Sequence, residues 1–388
     1  MRPTITSAAA TAPSCDDMDA ESLAKAIEAE LPALLPSVDP AGHVPTTRAQ
    51  DVPIPGLPGV TLGHYARDTL VPLLQLARRG KAALCRALPR TFRLLPLADT
   101  AQGHVTAYYH PVVRGSRVPR PPYTHPLYRR PSDPQSQLVT ADILAGKLDG
   151  QGLELAYVDS VYAALNIHIE GSATIQLVEG GEINITPDGH NGHPYVNPFK
   201  LARADHVVPS HEESPVDPSA PPPVPGQSRA QRFFLSHPEI LRSYWAKNAH
   251  FVFFKETPLR GSGRFGQLIA GRSVAVDSAR IPLGVARWLR SEVAAGLRTS
   301  SHGEETLFTP IERLTLAQDT GAAIRGLGRI DLFVGSGADA QLAAARTSRP
   351  GALFLIVHKS IPRARRRSAP THTAQPTPPA QPPKTASS

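Results

Sequence analysis

Helical spacing of apolar residues marks the first quarter of this chain and recurs later only in a few short stretches. "AESLAKAIEAELPALL" predicts one short helix inside residues 1–60, which otherwise mix Ala, Pro, Thr and acids and read as linker. "YARDTLVPLLQLARRG" and "KAALCRALPRTFRLL" predict one or two amphipathic helices over 65–93, broken by Gly80 and Pro89. The period then shortens to two. "HVTAYYHPVV" reads as a strand rich in β-branched and aromatic residues. "RVPRPPYTHPLYRRP" reads as an extended crossing segment, because each Pro biases its predecessor away from helix.

Residues 136–200 alternate short strands with Gly turns, the pattern of a small barrel or sandwich, and 202–227 read as an exposed insertion. Two short helices follow, with capping-box spacing at Ser228/Gln231 and Ser236/Glu239. "HFVFFKE", "SVAVD", "ARWLRSEV", "ERLTLAQD", "RIDLFVG" and "ALFLIVHK" supply six strand candidates between 250 and 359, a β-barrel pattern. One helix, "ADAQLAAARTS", precedes the last strand, with Ser336 as the expected cap. From 360 onward the chain is too polar and proline-rich to fold.

Composition agrees with a mainly β protein carrying tails. Hydrophobic residues make up 41%, as in a globular protein, but the 41 prolines exceed what one compact body uses. The net charge of +8 is concentrated: Lys359, Arg363, Arg365, Arg366, Arg367 and Lys384 account for six of the eight, leaving +2 for the body. Such a tail either keeps the protein soluble or holds it near an anionic surface. "IPRARRR" alone is a weak nucleic-acid signal, since the body has no recognition-helix pattern. Cys15 and Cys85 are the only cysteines, so neither a disulfide framework nor a Cys-based zinc site is expected. The longest apolar run, "ALFLIV", is too short to span a bilayer, and no export signal or lipobox is visible before Cys15.

Several motifs carry less chemistry than their letters suggest. "GSGRFG" matches a dinucleotide fingerprint, but a β-branched alternation follows instead of a helix, so a turn between strands is expected. "GHNGHPY" brings His190 and His193 close in sequence, with His206 and His211 further on, yet no third ligand stands at a spacing that recurs in zinc sites. The chain contains no G-x-S-x-G elbow.

Three aspartates stand out. In "RIDLFVG", alternation sets Ile330, Leu332 and Val334 on one face and Asp331 and Phe333 on the other. Asp is disfavoured in mid-strand, so Asp331 calls for a role. Asp277 closes "SVAVD" and Asp319 closes "LTLAQD", positions where an aspartate ordinarily accepts N–H groups of the following loop.

"RSVAVDSARIPLG", "AQDTGAAIRG" and "RIDLFVGSG" together resemble the three-aspartate domain of the membrane-bound lytic murein transglycosylase A family. "VTAYYHPVVRGSR", "YTHPLYRRP", "TADILAGKLDGQGLELAYVDS", "GHNGHPY" and "KNAHFVFFKE" are similar to other blocks of that family in the same order, over about 95–359. The resemblance implies a double-psi β-barrel from 61–112 and 250–359, with a second β domain inserted at 113–249 and a glycan groove between them. It implies cleavage of the β-1,4 bond between N-acetylmuramic acid and N-acetylglucosamine, leaving a 1,6-anhydro end and needing no metal or organic cofactor. The implied partner is the peptidoglycan glycan strand, with no nucleic acid expected, and the implied place is the cell envelope, periplasmic or outer-membrane associated.

The resemblance puts the catalytic aspartate on Asp331, in Arg-x-Asp-x-Phe. One carboxyl is enough where the muramic acid's own C6 hydroxyl attacks, because it donates a proton and then takes one back. Asp277, Asp319, Tyr108, Tyr109, Glu170, Ser172 and Arg329 would bind sugar or organise loops. The chain departs from the family at Ala107 (usually Gly), His110 (usually an acid), and His168 and Glu170 of "HIEGSA" (usually two glutamines). These departures leave a non-catalytic glycan-binding barrel as the competing expectation.

Overall fold

The computed structural model describes residues 12–35, 48–96, 103–132, 138–207, 229–263, 266–300 and 303–362. Much of the expected insertion, Ser228, His211 and the tail from 363 therefore lie outside the described residues.

The chain opens with helix α1 (Ala20–Leu34), started by Asp19, whose carboxylate accepts the Ser22 N–H at 2.6 Å. Helix α2 (Leu62–Tyr65), a π-helical turn (Ala66–Leu70), α3 (Val71–Arg78) and α4 (Lys81–Thr91) form a helical layer. Strands β1 (Phe92–Pro96) and β2 (Gly103–His110) follow. The next group is β3 (Val112–Ser116), β4 (His125–Tyr128), α5 (Thr140–Leu144), β5 (Glu154–Val158), α6 (Val161–Glu170), β6 (Ala173–Leu177) and β7 (Glu182–His190). It ends with α7 (Pro198–Ala204), α8 (Arg229–Ser236), α9 (Pro238–Ala246) and β8 (Val252–Thr257). The short pair β9 (Ser262–Gly263) and β10 (Gly266–Gln267) leads into β11 (Ser273–Val276), β12 (Ala286–Ser300), β13 (Gly303–Thr320), β14 (Arg329–Ser336), α10 (Ala338–Arg346) and β15 (Ser348–His358).

Six strands close on themselves in the order β15-β12-β13-β11-β14-β2, with β2 pairing back to β15, and β1 lies beside the far half of β15. Two of the six contacts, β11–β13 and β14–β2, are parallel. A parallel pair needs a long crossover, and here the β2-to-β14 crossover contains the whole second domain. That domain is a six-stranded sheet, β4-β5-β3-β6-β7-β8, whose core gathers Leu127, Ile143, Leu155, Ile175, Trp245 and Phe251. The mainly β, barrel-plus-insert fold class is therefore as expected. Where β2 meets β15 the backbones approach so closely that a Cβ on Gly103 would lie 2.8 Å from the Gly351 carbonyl.

Local expectations are corrected in several places. "HFVFFKE" contributes β8 to the second sheet, paired with β7, instead of to the barrel. Strand periodicity says which residues alternate but not which sheet receives them. Ser236 ends α8 and bonds back to the Arg232 and Phe233 carbonyls, while His237 precedes Pro238 at the start of α9. Ser336 is the last residue of β14, and Gly337 stands at the N-cap of α10.

The N-terminal stretch read as linker is part of the barrel's core. Leu23, Ala26, Ile27 and Leu34 of α1 pack with barrel residues such as Trp288 and Leu314. Asp16 pairs with Arg272 at 2.6 Å, both side chains fully buried, and also accepts the Leu314 N–H at 2.8 Å. A buried pair with its remaining valences filled in this way is a registering contact rather than a net source of stability. Cys15 is bonded to Cys85 across a 70-residue separation, which ties this strap to α4. A single disulfide thus stands where none was anticipated, because two widely spaced cysteines carry no pairing signal in the sequence. Among the described residues no helix is long and apolar enough to cross a membrane.

Candidate active site

The parallel pairing of β2 with β14 sets three residue pairs side by side: His104 with Arg329, Thr106 with Asp331, and Tyr108 with Phe333. The intervening Val105, Ile330 and Leu332 are buried in the barrel core. Strand alternation therefore forces the polar members onto the opposite face. Thr106 Oγ1 donates to Asp331 Oδ1 at 2.5 Å, which fixes the half-buried carboxyl in its strand. Burial raises the Asp331 proton affinity, opposed by the Thr106 hydroxyl and by the charge of Arg329.

Asp319, near the end of β13, accepts from Tyr108 Oη at 2.9 Å and from the Thr320 N–H at 2.8 Å. Burial pushes it up to about 6 against those two hydrogen bonds, and the Asp331 charge adds to the rise. A third carboxyl comes from the insert. Ser160 caps α6 at one end and Gly171, at φ 80°, stops it at the other, so that Glu170 is its last residue. Glu170 Oε2 accepts the Tyr109 N–H at 3.1 Å, joining the insert to β2. Burial pushes Glu170 up to about 8, against the Tyr109 N–H, and the Asp331 charge raises it further. Three carboxyls from three elements thus share one electrostatic neighbourhood, with proton affinities spread apart as acid–base chemistry requires.

The other expected site residues divide by location. Asp277 is buried, and its carboxylate accepts from Gly326 N at 2.7 Å and Ala279 N at 3.3 Å, so it pins the loop between β13 and β14. Tyr108 and Tyr109, expected to bind sugar or organise loops, keep only 8% and 6% of their exposure. Tyr108 packs on Phe333 at 5.3 Å, and the Tyr109 hydroxyl accepts from Asn166 Nδ2 at 2.8 Å. Ser172 is buried and engages His110 Nδ1 at 2.9 Å, while His110 Nε2 meets Thr174 Oγ1 at 2.9 Å. Burial, helped by Arg260, holds His110 down to about 4, so it is neutral at ordinary pH.

His168 and Glu170, the two departures on α6, have opposite fates. His168 turns into the insert core against Phe251, Trp245 and Phe254, where burial pushes it down to about 3. Only Glu170 reaches the carboxyl cluster. His190 stacks against His250 at 4.7 Å and accepts the Gly192 N–H at 2.9 Å, away from any ligand set. Among the described residues no group of three or more His, Cys, Asp or Glu side chains is arranged to hold a metal ion. Thr106 was not singled out from sequence. Its signal was available in "HVTAYYH", where His104, Thr106 and Tyr108 alternate with apolar residues.

The family model described as the MltA-specific insert domain matches residues 104–255, and that of the 3D domain matches residues 272–357. The chain belongs to the MltA-like family. Membrane-bound lytic murein transglycosylase A of Vibrio cholerae is 26% identical over 272 residues, covering 67% of this chain and 67% of that protein. The crystal structure of a membrane-bound lytic murein transglycosylase from Agrobacterium tumefaciens aligns with TM-score 0.61 at 24% identity, over 78% of this chain and 86% of that one. E. coli MltA with bound chitohexaose aligns with TM-score 0.63 at 21% identity, over 92% and 99%. At these identities the structural likenesses establish the MltA fold, while the two family matches place the three aspartates inside the 3D domain and Glu170 inside the MltA insert.

Proposed function

We propose that this protein is a peptidoglycan lytic transglycosylase of the cell envelope, cleaving the bond between N-acetylmuramic acid and N-acetylglucosamine with a 1,6-anhydro product. Membership in the MltA-like family supports the coarse activity. The observation that carries the finer reading is the Asp331 carboxyl, anchored at Oδ1 by Thr106 and raised in proton affinity by burial.

Protonated Asp331 donates to the leaving glycosidic oxygen as the C1–O4 bond breaks. Charge builds on C1, and the resulting Asp331 carboxylate lies beside it. The same carboxylate then takes the proton of the muramic acid C6 hydroxyl as its oxygen bonds to C1. Asp331 ends protonated, so no water and no second carboxylate is consumed. Thr106 stabilises the carboxylate between the two transfers. Glu170, held neutral below about 8, adds no charge of its own beside Asp331 at neutral pH. Asp277 holds the loop between β13 and β14, and Asp319 ties the end of β13 to Tyr108 of β2. The Cys15–Cys85 disulfide accords with an oxidising compartment.

The test is mass spectrometry of soluble products from purified sacculi treated with the wild type and with Asp331→Asn. Anhydromuropeptides from the wild type alone are expected. Reducing-end products would replace the reading with hydrolysis, and binding without soluble products would leave a glycan-binding barrel.

A further inference from the structure

One part of the β2–β14 face has no place in this mechanism. Of its three side-by-side pairs, Thr106/Asp331 reacts and Tyr108/Phe333 is closed by ring contact. The remaining pair, His104 and Arg329, is polar and open: His104 is exposed and Arg329 half-buried. Same-face positions on a strand are about 7 Å apart, within reach of a substituent on a sugar bound at Asp331.

Arg329 is incompletely satisfied. Its Nη1 is buried without a hydrogen-bond partner among the described residues. A buried guanidinium N–H left unpaired is an unfavourable state that an incoming acceptor relieves. The insert adds a second cation. Lys200 on α7 and Arg329 both lower the proton affinity of His104, in addition to burial, so the three groups share one patch of positive potential. Ser348 Oγ engages His104 Nε2 at 3.2 Å, so Nδ1 is the ring nitrogen available to a ligand. Two cations from different domains and a neutral imidazole match a carboxylate, which a guanidinium fork binds through two parallel hydrogen bonds.

We propose that Arg329, His104 and Lys200 form a carboxylate-binding subsite next to the catalytic carboxyl, and that it recognises the anionic substituent of muramic-acid-containing glycan. This rests on the glycan-cleaving reading above and deepens it. In an alternating strand only the muramic residue carries a lactyl ether. Its carboxylate is free when the sugar is bare. When the sugar is substituted, the attached peptide brings carboxylates of its own. Anchoring either anion here selects which of the two alternating glycosidic bonds faces Asp331.

The experiment is calorimetric binding to the non-cleaving Asp331→Asn protein. The probes are chitohexaose, a peptide-free hexasaccharide of alternating glucosamine and muramic residues, and the same strand with intact peptides. At least one anionic strand is expected to bind about tenfold more tightly than chitohexaose at low salt, a preference that shrinks as salt screens the charges. Arg329→Gln and Lys200→Ala, each added to that background, are expected to cut the preference severalfold without weakening chitohexaose. Preference for the peptide-free strand identifies the lactyl carboxylate as the ligand, and preference confined to the substituted strand identifies the peptide carboxylates. In the supported case the NMR titration of His104 moves to higher pH with the preferred strand and not with chitohexaose. Binding of all three probes without preference, or equal weakening of all three by Arg329→Gln, overturns the subsite alone. Failure of all three to bind overturns the glycan reading as well.

Discussion

Replacing Glu170 with Gln tests the electrostatics of the carboxyl cluster most directly. The amide oxygen can still accept the Tyr109 N–H, so the contact between α6 and β2 is kept while the titrating group is removed. Glu170 is raised from 4.5 to about 8 by burial first, with the Asp331 charge adding to it. In the unfolded chain it titrates near the ordinary value, so between about 4.5 and 8 the folded state holds a proton that the unfolded state has lost. Stability therefore falls as pH rises through that window and is fully present only below it. At about 1.4 kcal/mol per unit, the shift sets an upper bound of about 5 kcal/mol. Water penetration and relaxation bring the expected loss nearer 2–3 kcal/mol. Urea unfolding of the wild type and Glu170→Gln at pH 5 and pH 8.5 reads the difference. The two proteins should be nearly equal at pH 5, and the variant should be more stable by about 2 kcal/mol at pH 8.5. Equal stability at both pH values, or an advantage of the variant at pH 5 alone, would refute the assignment of a buried, neutral Glu170.

Three further outcomes follow from the same contacts. Thr106→Val removes the hydroxyl that favours the Asp331 carboxylate, so the alkaline limb of the pH–rate profile should move up by about one unit; a downward move would contradict it. Asp277→Ala leaves the Gly326 N–H without its acceptor and should cost about 1–3 kcal/mol in thermal unfolding, with the pH profile unmoved. Reduction, or Cys15→Ser with Cys85→Ser, opens a cross-link spanning 70 residues and should cost about 4 kcal/mol by loop-closure entropy. An unchanged melting temperature under reductant would show that the strap is held by Asp16 and Arg272 instead.

What the sequence made legible was anomaly. An aspartate inside an apolar strand marked Asp331, and a charged residue where the family has an amide marked Glu170. Their partners were hidden because they depend on pairing between distant segments: Thr106 and Asp331 are 225 positions apart and meet only through a parallel register. The same limit assigned β8 to the wrong sheet. Polar residues buried by tertiary contact were also invisible. Nothing in "SCDDMDAES" announces that Asp16 will be sealed against Arg272, and composition alone therefore made a core element look like linker. The family resemblance offered Tyr108 as a residue that binds sugar or organises loops, and it could not foresee that Asp319 would take its hydroxyl and Phe333 its ring.

The parallel pairing of β2 with β14 has a consequence for synthesis. The first half of the Thr106–Asp331 pair leaves the ribosome with β2, but its partner arrives only after the whole insert and most of the barrel have been made. Strands β3 to β8 are complete by residue 257 and have their own apolar core, so the insert can organise while β2 still waits for its neighbour. The Thr106–Asp331 contact therefore exists only in the finished chain and not in a half-made one. Pulse-labelled hydrogen exchange during refolding should accordingly protect insert amides before those of β2, and simultaneous protection would show the two domains folding as one.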